Sequence, residues 1–155
     1  MKILHVITSL GDGGAEGVLY RLCHYDTSAC HIVVCLMDEG KYGALLRKDG
    51  IELLCLNMLP GKIDLSAMWT LFKYFRLSKP DVVQTWMYHA DFVGGVLARL
   101  AGITSVFWNI RQSGFDVDKS KKSSLLLAKF CARLSGVVPR GIISCSHNGA
   151  RNHSD

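Results

Sequence analysis

A chain of 155 residues, 49% hydrophobic and 20% charged, suits one domain that buries about two-thirds of its unfolded surface. The formal charge of +5 fits phosphate-bearing ligands or an anionic membrane surface, but it lacks the dense basic stripe of a nucleic-acid binder, so no nucleic-acid partner is expected. No apolar run approaches the roughly 20 residues of a membrane span, and the short apolar start at 3–7 breaks into Thr-Ser-Leu-Gly-Asp-Gly-Gly without a cleavage site.

In chain order, residues 2–7 read as a strand running into a glycine-rich loop. A helix over 15–25 then buries Val18, Leu19, Leu22 and Cys23. A strand over 30–37, a short helix over 42–48 and a strand over 51–56 follow. The helix over 65–77 carries Leu65, Met68, Trp69, Phe72 and Phe75 on one stripe. After a strand over 81–86, a helix over 90–101 buries Phe92, Val93, Val96, Leu97 and Leu100. Beyond the strand over 104–110, residues 112–124 form the most polar stretch, a surface loop leading into a basic helix over 119–134. That helix buries Leu126, Leu127, Phe130, Cys131 and Leu134, and a last strand covers 141–146.

Most strands are near-continuous Val, Ile and Leu runs, as expected where both faces are covered. Regular strand–helix alternation implies parallel pairing and right-handed crossovers. The expected fold is therefore α/β, a Rossmann-like doubly wound parallel sheet with helices on both faces. Residues 147–153 look like a further helix cut off in its second turn, so the single domain over 1–155 is expected to be a piece of a larger machine. Cys30, Cys35, Cys55 and Cys145 lie in apolar runs without a CxxC pair and read as small buried hydrophobes in a reducing cytosol.

Ligands of doubly wound sheets bind at the carboxyl ends of the strands. The first such end is Thr8 to Gly17, where Gly11, Gly13 and Gly14 let the backbone approach a ligand and the helix N-terminus offers N–H groups to an anion. Gly11-x-Gly13 opens a dinucleotide fingerprint, but Glu16 stands at the third glycine position, beside any bound pyrophosphate. With Asp38 as a ribose-binding acid, a nicotinamide dinucleotide stays open as an alternative, and so does a loop that binds nothing.

The second end, Gln84 to Asp91, crowds Trp86, Tyr88 and His89 into a strand-to-helix turn. His89 suits hydrogen bonding to a sugar hydroxyl or proton transfer, or else merely caps the helix beside Asp91. Gly94-Gly95 inside that helix implies close packing on a neighbour. At the third end, Arg111 either binds phosphate in the crevice or makes a surface ion pair. At the fourth, Ser146, His147 and Asn148 have no nucleophile-elbow glycines and read best as a helix cap. Lys119, Lys121, Lys122, Lys129 and Arg133 give the last helix a basic face, either solvated or set against anionic lipid. The histidines and cysteines show no metal-ligand spacing, and no metal is expected.

The opening Lys2-Ile3-Leu4-His5-Val6-Ile7 with Gly13-Gly14-Ala15-Glu16 resembles the start of family 4 glycosyltransferases. The run from Pro80 to Asp91 with Gly94-Gly95, then Trp108-Asn109-Ile110-Arg111 and Ile143-Ser144-Cys145-Ser146, is similar to later signatures of that family in the same order. The resemblance implies the N-terminal, acceptor-side half of a two-domain GT-B enzyme whose donor-binding C-terminal domain is absent from these residues. It implies retaining, metal-independent sugar transfer from a nucleotide-sugar co-substrate, without a bound cofactor. Acceptors would be lipid-linked or cell-envelope glycans at the cytoplasmic face of the membrane. Gly13 and Gly14 would approach the donor diphosphate with Glu16 beside them, and His89 would lie near the transferred sugar as the catalytic residue. Trp86, Tyr88 and Arg111 would complete the binding surface. A non-catalytic subunit that partners a separate donor domain is the alternative.

Overall fold

The computed structural model describes residues 1–110 and 122–144. Within them, six strands alternate with five helices: β1 (Lys2–Ile7), α1 (Gly14–Tyr25), β2 (Cys30–Cys35), α2 (Gly40–Lys48), β3 (Glu52–Cys55), α3 (Leu65–Ser78), β4 (Val82–Trp86), α4 (Tyr88–Leu100), β5 (Val106–Ile110), α5 (Lys122–Leu134) and β6 (Gly141–Ser144). The strands form one parallel sheet in the order β3-β2-β1-β4-β5-β6. The Rossmann-like α/β architecture expected from the alternation is the one observed.

Each sheet face has its own core. On one face Leu19, Cys23 and Leu46 from α1 and α2 pack on Ile7, Val33, Cys35, Leu53 and Trp86. On the other, Leu71, Phe75, Ala90, Leu97, Ala98 and Cys131 from α3, α4 and α5 cover Leu4, Val6, Ile32, Val34, Val83, Val106 and Trp108. The strands are thus buried on both faces, which is why they read as unbroken apolar runs.

Two helices turn a different face inward from the one their large side chains suggest. In α3 the buried row is Ala67, Leu71 and Phe75, while Leu65 and Trp69 are exposed. Asp64 starts this helix by accepting from Ala67 N–H at 3.0 Å, and Lys79 in the left-handed region ends it before Pro80. In α4 the buried face is Ala90, Asp91, Gly94, Gly95, Leu97 and Ala98, with Leu100 exposed. The glycines are a packing device: a Cβ on Gly94 would lie 2.9 Å from Val6 Cγ1, and one on Gly95 would lie 2.6 Å from Trp108 Nε1.

In α5, Cys131 is buried as expected, but Leu126 and Phe130 are exposed beside Lys129 and Arg133. Among the cysteines, Cys35 is buried, Cys55 is intermediate and Cys30, at the first position of β2, is exposed rather than buried. Cys145, and with it the expected helix over 147–153, lies outside the described residues.

Candidate active site at the switch point of the sheet

The chain leaves β1 toward β2 and β3 on one side, and leaves β4 toward β5 and β6 on the other. The helices that follow lie on opposite faces, α1 on one and α4 on the other. β1 and β4 are adjacent, so their carboxyl ends flank the point where the winding reverses. In open α/β sheets this is where a crevice forms and ligands bind. The glycine-rich loop borders it from β1, and the Met87–His89 turn borders it from β4.

In the loop, Gly13 is the N-cap of α1 and has no side-chain capping bond. The Glu16 carboxylate, three residues on, folds back over it, and a Cβ on Gly13 would collide with that carboxylate. Ser9 Oγ donates to Glu16 Oε1 at 3.2 Å, and Glu16 is only 6% exposed. An internal anion therefore already serves part of the positive end of α1. Among the described residues, nothing lies within 4 Å of a Cβ built on Gly11 or Gly14. No described neighbouring atom demands a glycine there, while an approaching ligand would.

The β4–α4 turn carries strain. Met87 has φ 72° and ψ 156°, a combination that residues with a side chain avoid at a cost of about 1–3 kcal/mol. His89, two residues on, is exposed, and partial desolvation holds its imidazole below the ordinary pKa. Tyr88 is half-buried against the α3–α5 core, and burial, with Asp91 second, raises its phenol pKa. Trp86 is buried on the α1 face, where its Nε1–H donates to His5 Nδ1 at 3.2 Å, so its ring lies under the turn and not on the crevice wall. Arg111, Ser146, His147 and Asn148 lie outside the described residues.

Sequence reasoning passed over two buried groups near these loops. Asp91 was legible only as an acid in a first helical turn. It is 1% exposed, with Oδ1 lying 2.5 Å from Thr85 Oγ1 and burial pushing its carboxyl up to about 8. Beneath Trp86, His5 Nε2 and His31 Nδ1 are 3.0 Å apart, and His31 Nε2 lies 3.3 Å from Asp26 Oδ2. Burial, then the charge of His31, lowers His5 to about 3.

Cys23 brings its sulfur near both rings, so the fold gathers three metal-capable groups, with ligand atoms within 4.8 Å of one another, that their spacing in sequence did not announce. The hydrogen bonds favour a metal-free arrangement. Trp86 Nε1 can only donate, so His5 Nδ1 must accept, and the single proton of the neutral ring sits on Nε2, the atom a metal would need bare.

No protein-family model and no curated protein matches the chain. Among solved structures it resembles HepE of Anabaena, solved with UDP and with UDP-glucose, at TM-score 0.78 and 18% identity over 99% of this chain and 40% of that one. A UDP-N-acetylglucosamine 2-epimerase matches at TM-score 0.70 and 15% identity, over 99% of this chain and 44% of that one. MurG of Acinetobacter baumannii matches at 0.64 and 15%, over 96% and 42%. The fold is thus that of one Rossmann-like domain of GT-B proteins, and this chain spans about two-fifths of the length of the structures it resembles.

Proposed function

We propose that this chain is the N-terminal, acceptor-side domain of a GT-B glycosyltransferase. The enzyme would move a sugar from a nucleotide-sugar donor to a lipid-linked or cell-envelope glycan, retaining configuration and using no metal. The observation that carries this reading is the juxtaposition at the switch point: glycines with no described residue above them on β1, and the strained turn bearing His89 on adjacent β4. UDP and UDP-glucose in the HepE complexes support a nucleotide sugar as the ligand. The donor-binding half would come from further sequence.

Sugar transfer builds negative charge on the departing diphosphate, and fixed N–H dipoles aimed at that charge lower the barrier. Gly14, at the first position of α1, has an N–H free of intrahelical partners and no described residue above it. Glu16 already covers Gly13, so the diphosphate would approach from the Gly14 side. His89, as a largely neutral imidazole, would hydrogen-bond a hydroxyl of the transferred sugar, and Arg111 would add positive charge. Tyr88 would border the acceptor, and buried Trp86 would support the turn from below. The exposed Leu126 and Phe130 beside Lys129 and Arg133 support peripheral contact with an anionic membrane at its cytoplasmic face.

The epimerase likeness supports a second reading, C2 epimerisation of a UDP-sugar without an acceptor. Assaying the full-length reading frame against a panel of nucleotide sugars separates the two. Transfer to a glycan acceptor, reduced about 100-fold or more in His89→Ala, is the expected outcome. Conversion of the UDP-sugar with no acceptor present would favour the epimerase, and no turnover of any donor would favour a non-catalytic subunit.

A further inference from the structure

The β4–α4 turn holds a backbone conformation that its own residues resist, so something outside Met87 must hold it. The bonds that span the turn identify what does. Asp91 N–H donates to Met87 O at 2.9 Å, which is the first hydrogen bond of α4. The Asp91 carboxyl meets the Thr85 hydroxyl at 2.5 Å, and both residues are fully enclosed. Thr85 and Asp91 therefore bracket Trp86, Met87, Tyr88, His89 and Ala90. Gly94 lets the helix settle low enough for this contact, since a Cβ there would lie 3.3 Å from Thr85 Cγ2 as well as against Val6.

We propose that Asp91 is a positioning residue for His89: its hydrogen bond to Thr85 closes the turn across strained Met87 and fixes the direction in which the His89 ring leaves α4. The inference rests on the glycosyltransferase reading only for what His89 then does.

The oxygen contacts define the form in which Asp91 acts. Thr85 Oγ1 has two oxygen neighbours, Asp91 Oδ1 at 2.5 Å and Phe107 O at 3.4 Å, but only one hydroxyl hydrogen. A neutral Asp91 satisfies both contacts, because the acid O–H donates to Thr85 while Thr85 donates to Phe107 O. An ionised Asp91 would leave Oδ2 buried, charged and without a hydrogen bond among the described residues. Among the described residues the titratable groups facing it are Tyr88 on its own helix and Cys131 on α5, neither of them a cation. Burial raises the Asp91 carboxyl more than a hydrogen bond donated by Thr85 to the ionised form would lower it, which favours the protonated form.

The test follows the His89 ring by NMR in the 155-residue chain, titrated in wild type, Asp91→Asn, Asp91→Ala and Thr85→Val. The asparagine amide supplies a donor and an acceptor where the neutral acid has them, whereas the other two variants remove the link. Asp91→Asn should keep the wild-type His89 titration. Asp91→Ala and Thr85→Val should move it up toward the ordinary histidine value. In the full-length enzyme, kcat should fall about tenfold or more in the same two variants with KM little changed, and recover in Asp91→Asn.

An unaltered His89 titration in folded Asp91→Ala or Thr85→Val overturns the proposal, and so does an Asp91→Asn that behaves like alanine. If alanine prevents folding, Thr85→Val decides alone. Should no variant transfer sugar while the His89 signal still follows the clamp, the glycosyltransferase reading falls and the positioning role stands.

Discussion

His5 and Asp91 are buried ionisable groups whose pKa values move away from neutrality's usual order, and together they shape stability against pH. Asp91 keeps a proton in the fold that the unfolded chain gives up near pH 4, so its contribution is complete below about pH 4 and is lost as pH rises to about 8. His5 does the reverse: folded, it stays neutral down to about 3, so its contribution is intact above about pH 6.5 and is lost as pH falls. Between about pH 4 and 6.5 the two slopes oppose each other, and above that Asp91 acts alone, at up to about 1.4 kcal/mol per pH unit. Urea denaturation should therefore show stability falling from about pH 6.5 to 8, with Asp91→Asn flattening that decline. An unchanged decline in the asparagine variant would assign it to other groups. Neither group was legible as a site in the sequence. A histidine in a strand and an aspartate in a first helical turn are ordinary residues until the fold removes their water.

At the scale of elements, strand identity was readable because burial on both faces leaves a plain run of Val, Ile and Leu. Helix orientation was less so. Periodicity identifies α3 as amphipathic but weighs large side chains over small ones, which favoured the row containing Leu65 and Trp69 over Ala67, Leu71 and Phe75. In α4 glycine and alanine supply most of the contact face, because at Gly94 and Gly95 the helix lies too close to the sheet for a Cβ. The Gly94-Gly95 pair carried that signal, and a hydropathy scale does not register it. Gly95→Ala should drive a methyl group into Trp108 Nε1 and Val138, costing about 1–3 kcal/mol in urea denaturation despite alanine's better helix propensity. A neutral or stabilising result would mean that α4 can lift off the sheet without penalty.

For the molecule as a whole, the glycine loop and the His89 turn were legible as separate motifs, and the strand order brings them together. Sequence alternation predicts parallel strands but not which pair stands at the reversal. That follows from the pairing of β1 with β4 across the turn of the chain. The same pairing has a consequence for synthesis. β1 is made before every other described strand, yet it is central, and its second partner is completed only at Trp86, about 80 residues later. The β1–β2–β3 half with α1 and α2 can assemble on the ribosome while one edge of β1 still waits, open, for β4. Nascent chains stalled before residue 82 should expose that edge and recruit chaperones, and chains stalled after α4 has emerged should release them.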